Sequence, residues 1–332
     1  MTTYDISLGS ANKRGVSAAA KKNSKGDMDQ GEPPLVEMVQ EDSSLPPLES
    51  TYKEMKVPQL NISSTGLSRT PISGGVQSAT RFHELPPPSV AVRNLVEQAK
   101  YCQLSTTMSS MHHRRAGYPF GSLVDFAMDS TGRPIFSFSP LAIHTRNIMA
   151  DPRSSMVVQM PGWSGLSNAR VTIMGDIYPL PEEAQALAKE IFERKHTRAT
   201  HSHQWGSATF FRMGYISDIY FVGGFGTVQF VDVQKYLTTP PDAIVKTTTA
   251  QSPEIVITEL NKRFEGKLKH VLSIENGIDI DDCLIVSIDK LGMDVRVRAG
   301  PSIAIQRMHF KEDVDTLHDA LNEVQQMTMY TC

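Results

Sequence analysis

The sequence predicts an α+β protein in which a small, mostly antiparallel β-barrel precedes a smaller α+β unit. About six strand-like runs lie between residues 86 and 237, with a few helical patterns outside them. Three further strand-like runs, flanked by two helical patterns, lie within residues 252–332. Nearly all the low-complexity sequence falls in residues 1–85. Short strands with helices outside them favour a small barrel over a doubly wound sheet.

The composition is that of an ordinary globular protein. The chain has 332 residues, of which 40% are hydrophobic and 21% charged, and its formal net charge is −3. The longest apolar runs are only a few residues long, far short of a membrane span. We therefore expect no transmembrane segment and no general attraction to nucleic acid or anionic lipid.

Cysteine usage excludes two further classes of protein. Cys102, Cys283 and Cys332 are widely separated and odd in number. This pattern excludes a disulfide scaffold and a zinc site built on a CxxC pair. It fits a protein of a reducing compartment.

Residues 1–85 show no helical or strand periodicity. The first 26 residues carry five basic residues and one acid, whereas residues 27–49 carry seven acids and no basic residue. Such a segment buries too little apolar surface to offset the entropy of ordering, so we predict that it is disordered. Its basic, Ser- and Ala-rich start is similar to a transit peptide; an ordinary disordered tail is the alternative.

Residues 86–237 divide into elements by their periodicity. Ser89 is a suitable N-cap for a helix whose apolar stripe reaches Ala99, and Pro181 opens a second amphipathic helix. Asp129-Ser130-Thr131-Gly132 is a hairpin turn. The predicted strands are Cys102–Met108, Gly121–Met128, Pro134–Phe138, Ser155–Gln159, Arg170–Ile177, Ile216–Val222 and Thr227–Val231, with a short helix near Leu141–Met149.

A Pro- and Thr-rich stretch, residues 238–251, predicts a linker. Ser252 then caps a helix that Pro253 opens. The predicted strands that follow are Cys283–Ile288, Met293–Val297 and Ser302–Met308, and the last helix carries Val314, Leu317, Leu321 and Val324 on one face. These elements predict a small α+β domain at residues 252–332.

Common catalytic motifs are missing: the sequence has no P-loop, no dinucleotide-binding GxGxxG after a strand, no HExxH and no GxSxG. Gly223-Gly224-Phe225-Gly226 lies between two strands, which is typical of a bulge or barrel corner. The sequence therefore disfavours the commonest kinase, hydrolase and dehydrogenase classes, and no residue is assigned a catalytic role.

His144 is a candidate metal ligand. It lies at the start of a predicted helix after a strand, where a neutral imidazole can bind a metal, and the nearby Arg146 can hold a carboxylate or phosphate. A helix-capping or core histidine is the alternative. Further histidines lie in predicted polar loops, either solvated or facing a ligand: His112-His113-Arg114-Arg115, His196, His201 and His203.

Arg170 and Thr172 form a second candidate site. Because side chains alternate along a strand, both lie on the same face of the predicted strand Arg170–Ile177. Together they can hold an anionic group at the mouth of a barrel. An ion pair between Arg170 and an acid on a neighbouring strand is the alternative.

Three runs carry a family resemblance: Leu141-Ala142-x-His144-Thr145-x-Asn147, Asp151-Pro152-Arg153-Ser154-Ser155 and Asn168-Ala169-Arg170-Val171-Thr172. They resemble the FMN-binding split-barrel superfamily of pyridoxamine 5'-phosphate oxidase-like proteins. The closer resemblance is to its HugZ-type haem-degrading branch and the plant chloroplast relatives of that branch. The resemblance extends from Pro86 to the C-terminus and includes Asp289–Val297, which is similar to the small domain that accompanies this barrel.

The resemblance implies a homodimer of split barrels with a planar cofactor at the subunit interface. For haem, it implies a histidine ligand to iron and arginines at the propionates, with His144, Arg146 and Arg170 as candidates and haem degradation in the chloroplast as the activity. For FMN, it implies an oxidoreductase whose phosphate site is lined by Ser137, Ser139, Arg146 and Arg170. A third implication is a non-enzymatic regulator that binds an enzyme of tetrapyrrole synthesis.

Two departures from the family bear on the cofactor. Ala142 and His144 stand where the oxidases carry a Ser-x-Lys pair that grips the flavin phosphate, which disfavours tight FMN binding. The first helix of the C-terminal unit keeps Asn261 but lacks the histidines of haem-utilisation relatives. That helix is therefore not expected to bind haem or a metal.

Overall fold

Six strands close into an antiparallel barrel, and a seventh extends it at one edge. The computed structural model describes residues 85–166, 168–196, 208–224, 227–248 and 251–329. The strands follow the spatial order β3-β2-β1-β4-β5-β6-β7, and β3 also pairs with β6 to close the barrel. The strands are β1 (Tyr101–Thr107), β2 (Pro119–Met128), β3 (Pro134–Phe138), β4 (Arg153–Gln159), β5 (Arg170–Pro179), β6 (Thr209–Gly224) and β7 (Thr227–Phe230).

Four helices accompany these strands: α1 (Pro88–Gln98), α2 (Ile143–Ala150), α3 (Glu182–His196) and α4 (Val233–Thr238). Val92 and Val96 of α1 are fully buried in the barrel core, with Leu104, Phe136 and Ile173 of the strands. Helix α3 packs on the outside of β2, β3 and β6 through Ala188 and Phe192. The predicted α+β fold, a split barrel followed by a small α+β unit, is confirmed.

The predicted hairpin between β2 and β3 is confirmed in detail. The Oδ1 atom of Asp129 accepts hydrogen bonds from the backbone N–H groups of Thr131 and Arg133, both at 2.9 Å. Gly132 has a φ of 85°, which favours glycine at this position. The turn therefore depends on an aspartate at its start and a glycine at its end, both of which the sequence pattern contains.

Strand β6 is longer than the predicted Ile216–Val222, since it begins at Thr209. Register shifts between β5 and β6 interrupt the alternation that identifies a strand, and Gly214 and Tyr215 are both exposed. His196, predicted in a loop, is the last residue of α3; its Nε2 lies 3.0 Å from the carbonyl oxygen of Phe126. His112 and His113 lie in a 3₁₀ turn, residues 110–115, between β1 and β2.

A three-stranded antiparallel sheet of order β10-β9-β8 forms the second unit: β8 (Asp282–Asp289), β9 (Gly292–Ala299) and β10 (Ser302–His309). Helices α5 (Pro253–Asn276) and α6 (Leu317–Met329) pack with it, and the Ser252 side chain caps α5 as predicted. Val314 is buried but precedes α6. The domain boundaries stay a prediction. Ile244 and Val245, which belong to the predicted linker at residues 238–251, are fully buried in this second core.

The predicted disorder and transit-peptide character of the N-terminal segment fall on residues outside the described part of the chain. Among the described helices, none combines the length and hydrophobicity that crossing a membrane requires.

Candidate functional site

A pocket of about 450 Å³ opens between the first three strands and the start of α2. We call it the His144 pocket. Two pairings bring its walls together: Tyr101 of β1 lies opposite Asp125 of β2, and Phe126 of β2 lies opposite Phe136 of β3. Its lining residues are Tyr101, Leu123, Val124, Asp125, Ser137, Phe138, Ser139, Ala142 and His144.

His144 is half-buried in the first turn of α2. Its ring packs on the buried Phe138, with 4.7 Å between the ring centroids. Burial lowers the pKa of the imidazole, because the charged form loses hydration. His144 is therefore neutral at neutral pH, which is the form that binds a metal.

Ser137 is the polar group of this pocket that lacks a partner. The residue is 8% exposed, and its hydroxyl oxygen has no hydrogen-bond partner among the described residues. An unsatisfied buried hydroxyl costs free energy. Ser137 is therefore an unsatisfied polar group of this wall, with its hydroxyl oxygen enclosed.

Ser139 has a local structural role. Its hydroxyl oxygen accepts a hydrogen bond from the backbone N–H of Leu141, and its carbonyl oxygen accepts one from the hydroxyl of Thr145 at 2.8 Å. These bonds fix the approach of the chain to α2. Ser139 therefore positions the helix that carries His144.

The exposed walls of the pocket are apolar, with one carboxylate. Tyr101 and Leu123 are 60% and 70% exposed, and Asp125 is the only charged residue among those that line the pocket. A pocket without Lys or Arg in its lining gives no counter-charge to a phosphate. Its chemistry fits a flat apolar group that also offers a metal centre to His144.

The structure brings Ser137, Ser139 and His144 together, but Arg146, Arg170 and Thr172 do not line this pocket. Arg146 is exposed on α2, and its Nη2 donates to the carbonyl oxygen of Leu141 at 3.0 Å. Arg170 and Thr172 share the outer face of β5, as predicted from the strand period.

Arg170 is engaged locally. Its Nη1 donates to the carbonyl oxygen of Leu166 at 2.8 Å, and its guanidinium lies 6.0 Å from the centre of the Trp163 ring. Among the described residues, no carboxylate forms an ion pair with it. The described residues therefore do not show the alternative prediction, an ion pair between Arg170 and an acid on a neighbouring strand.

Sequence reasoning missed Tyr101, Leu123 and Asp125 as site residues. The alternation of side chains along β1 and β2 places all three residues on the outer face of the barrel. Which of them lie next to each other depends on the pairing of β1 with β2 and on its register. His201 and His203 lie outside the described residues, as do the side chains of His112 and His113. Within the described part of the chain, no three His, Cys, Asp or Glu side chains cluster as a metal site.

The barrel part of the chain is similar to a known protein family. Residues 87–238 match the family described as CREG, beta-barrel. Over 216 residues the chain is 27% identical to "Non-canonical heme oxygenase HOZ, chloroplastic" of Arabidopsis thaliana, an alignment covering 63% of this chain and 66% of that protein. The aligned part is just under two thirds of the length of that relative.

Two solved structures are also similar. A haem-binding protein from Mycobacterium smegmatis has 19% identity and a TM-score of 0.47, covering 74% of this chain and 97% of that chain. HutZ, a haem storage protein from Vibrio cholerae, has 17% identity and a TM-score of 0.32, covering 39% of this chain and 89% of that chain.

Proposed function

We propose that the chain binds haem in the His144 pocket, with His144 as the ligand to iron. The observation that carries this proposal is the neutral, half-buried imidazole of His144, which packs on Phe138 at the wall of an open and largely apolar pocket. A haem protein commonly supplies one axial histidine and an apolar surface for the macrocycle. The similarity of the chain to the haem oxygenase HOZ supports the same cofactor.

The lining of the pocket suits the different parts of haem. Tyr101, Leu123 and Phe138 offer apolar surface for the ring. The unpartnered hydroxyl of Ser137 is enclosed, so it meets a polar group of haem only by turning toward the pocket. We propose Arg146 and Arg170 as partners of the propionates, because the paired N–H donors of a guanidinium match the two oxygens of a carboxylate. Thr172 lies beside Arg170 on the same strand face and is proposed with it.

We further propose that the bound haem is degraded oxidatively. When bound, haem iron supplies the site at which dioxygen is activated by electrons from an external donor. The residues of the chain hold and orient the ring: His144 at the metal, Phe138 behind His144, and Ser137 at the wall. The activity of HOZ and its chloroplastic description support this activity and a plastid location as proposals.

A homodimer through the outer barrel face is part of the same proposal. The exposed side chains of Tyr101 and Leu123 line the pocket. The exposed Phe230 lies opposite Tyr220, which in turn lies opposite Thr172. A second copy would cover them and bring another Arg170 and Thr172 toward the cofactor. A partner protein from tetrapyrrole synthesis stays a further proposal.

FMN is the alternative cofactor, and the pocket disfavours it. The flavin phosphate needs basic or densely donating groups, whereas the lining has Asp125 and no Lys or Arg. Ala142 offers no hydrogen bond to the phosphate. The haem propionates are anionic too, but we place them outside this lining, at Arg146 and Arg170. The macrocycle itself needs only apolar surface and the His144 ligand.

Titration of the purified full chain with hemin tests the proposal. We expect a shifted Soret band with one hemin per chain, and its loss or displacement in His144→Ala. His270→Ala, which removes an exposed histidine on α5, is the matched control and leaves the band unchanged. No Soret shift in the wild-type protein contradicts haem binding; an unchanged band in His144→Ala contradicts only the assigned ligand.

Degradation is tested separately on the hemin-loaded protein. With reductant and oxygen, we expect the Soret band to decay while a ring-opened tetrapyrrole forms. A stable band under these conditions favours a carrier or regulator. A yellow protein with flavin absorption as purified favours the FMN-dependent oxidoreductase.

A further inference from the structure

A second groove, with a volume of about 730 Å³, opens between α1, the β2–β3 turn, α3 and residues 240–248. This volume is typical of pockets that hold one small organic ligand. Five basic side chains line it: Arg93, Arg194, Lys195, Arg212 and Lys246. We call it the basic groove. It shares no lining residue with the His144 pocket.

Two carboxylates line the basic groove, and neither offsets its positive charge fully. Asp129 is engaged in the hairpin turn through Oδ1, which leaves its Oδ2 for Arg212 at 3.4 Å. Burial raises the pKa of Glu97, and Lys195, Arg93 and Lys246 oppose the shift. Burial likewise lowers the pKa of Lys195 to about 8. Arg194 is also paired with Glu190 at 2.7 Å, so the excess of positive charge in the groove comes from Arg93, Arg212 and Lys246.

Arg93 and Arg212 each have enclosed donors without an acceptor, although the Arg212 side chain as a whole is 42% exposed. Arg93 is 2% exposed, and its Nε and Nη1 have no hydrogen-bond acceptor among the described residues. Its Nη2 makes one long bond, 3.4 Å, to the carbonyl oxygen of Ser130. The buried Nε of Arg212 also lacks an acceptor. Charged donors without acceptors are costly in a protein interior, and an anion is the group that would satisfy them.

The groove also has an apolar wall. Leu187 of α3 is 60% exposed, and the half-buried Ile191 follows it one turn later on the same helix. Such a wall suits the carbon skeleton of a ligand, while the basic residues suit its charged groups. An inorganic anion would meet only the basic residues and leave this apolar surface in water, so it probes the charged part of the groove alone.

We propose that the basic groove binds a small organic anion with at least two negative charges, carried by phosphate or carboxylate groups. The 42% exposed side chain of Arg212 meets the charged groups directly. The guanidinium of Arg93 lies 5.4 Å from the centre of the Tyr236 ring with its free donors enclosed, so it binds the ligand by shifting toward the groove. Lys246 adds charge at the exposed rim, and Leu187 and Ile191 contact the apolar part. This site is distinct from the proposed haem site and does not depend on it.

Calorimetric titration of the full chain tests the proposal, with pyrophosphate and citrate as probes at constant ionic strength. We expect one binding site. In Arg212→Gln and in Lys246→Ala the affinity should fall at least roughly tenfold below that of the wild type, the loss expected for a hydrogen bond to a charged group. Lys189→Ala and Lys235→Ala remove exposed lysines outside the groove and should keep the affinity. Lys246 is exposed, so its variant tests the site without disturbing the core.

The outcomes are distinguishable. Binding of pyrophosphate alone shows that the site recognises phosphates, and binding of citrate alone shows that it recognises carboxylates. Binding of both shows that it recognises any anion with two or more negative charges. No heat with either probe at millimolar concentration overturns the proposal. It is overturned as well if the control lysine variants weaken binding as much, or if His144→Ala abolishes it.

Discussion

Asn94 and Asp242, which are 148 positions apart in the sequence, exchange two hydrogen bonds. The amide nitrogen of Asn94 donates to Oδ2 of Asp242 at 2.7 Å, and the backbone N–H of Asp242 donates to Oδ1 of Asn94 at 2.9 Å. The same Oδ2 accepts a bond from the backbone N–H of Lys290 at 3.1 Å. One carboxylate oxygen therefore joins α1 to the turn between β8 and β9.

This arrangement predicts a pH-dependent stability. Burial raises the pKa of Asp242, with the hydrogen bonds from Lys290 and Asn94 opposing the shift. The folded state then binds more protons than the unfolded state, so the contribution of Asp242 is full below its unfolded pKa of about 3.9 and is lost as pH rises through its folded pKa. In Asp242→Asn, the amide oxygen can still accept the hydrogen bonds from Asn94 and Lys290, and the side chain no longer titrates.

We therefore expect Asp242→Asn to gain stability relative to the wild type as the pH is raised from about 4 to about 7. Urea unfolding of both proteins across this range measures the difference in the free energy of unfolding. A difference that stays constant with pH would contradict the role of Asp242.

Asn261 acts as a partner for the outer edge of β8. Its side-chain amide donates to the carbonyl oxygen of Ile285 at 2.9 Å, and its carbonyl oxygen accepts from the N–H of Ile285 at 2.8 Å. Because β8 is an edge strand, these bonds replace those of a neighbouring strand. We expect Asn261→Ala to lower the free energy of unfolding by about 1–3 kcal/mol, since both groups lose their partners.

Chemical denaturation measures this loss, and Lys262→Ala, at the next and exposed position of α5, is the control. Asn261→Asp keeps the acceptor and removes the donor, so we expect an intermediate stability. Equal stability of Asn261→Ala and the control would show that solvent satisfies Ile285 as well as Asn261 does.

Alternation predicted most of the barrel because each strand has a buried and an exposed face. It failed for the first half of β6, where Met213 and Ile216 are buried and the two residues between them are exposed. That spacing follows from the register shifts between β6 and β5. Such shifts depend on how the two strands pair, which the local sequence of β6 does not determine. The turn at Asp129 was predictable because its chemistry is local.

The same distinction applies to the candidate site. His144 was predictable as a residue type at a helix start, and its neighbour Phe138 lies close to it in the chain. Tyr101 and Asp125 meet only through the pairing of β1 with β2. Arg170 was expected beside an anion, but its contact with Leu166 depends on the path of the preceding loop.

Gly175 is required at the register shift between β5 and β6. A Cβ atom at this position would lie 2.1 Å from the carbonyl oxygen of Tyr215 and 2.9 Å from the sulfur of Met213. Since backbone must move to relieve the first contact, we expect Gly175→Ala to cost about 1–3 kcal/mol of stability. Gly121→Ala, where a Cβ meets nothing within 4 Å, is the matched control in the same barrel. Thermal and urea unfolding compare the two, and equal midpoints would contradict the prediction.

Arg307 is the centre of a buried ion network in the second unit. Its Nη1 and Nη2 donate to both carboxylate oxygens of Asp289 at 2.8 and 2.7 Å, and Asp294 lies 3.4 Å from Nη1. The side chain of Arg307 is 2% exposed. Replacing it by Met leaves two carboxylates in the interior without a counter-charge, so we expect a loss of about 3–5 kcal/mol in urea unfolding.

Arg298→Met, at an exposed arginine of β9, should change stability far less. Asp289→Asn added to Arg307→Met should restore part of the loss, because the penalty comes from unpaired charge rather than from lost packing. If the double variant is as unstable as Arg307→Met alone, the guanidinium acts through packing, and the electrostatic account of the network is wrong.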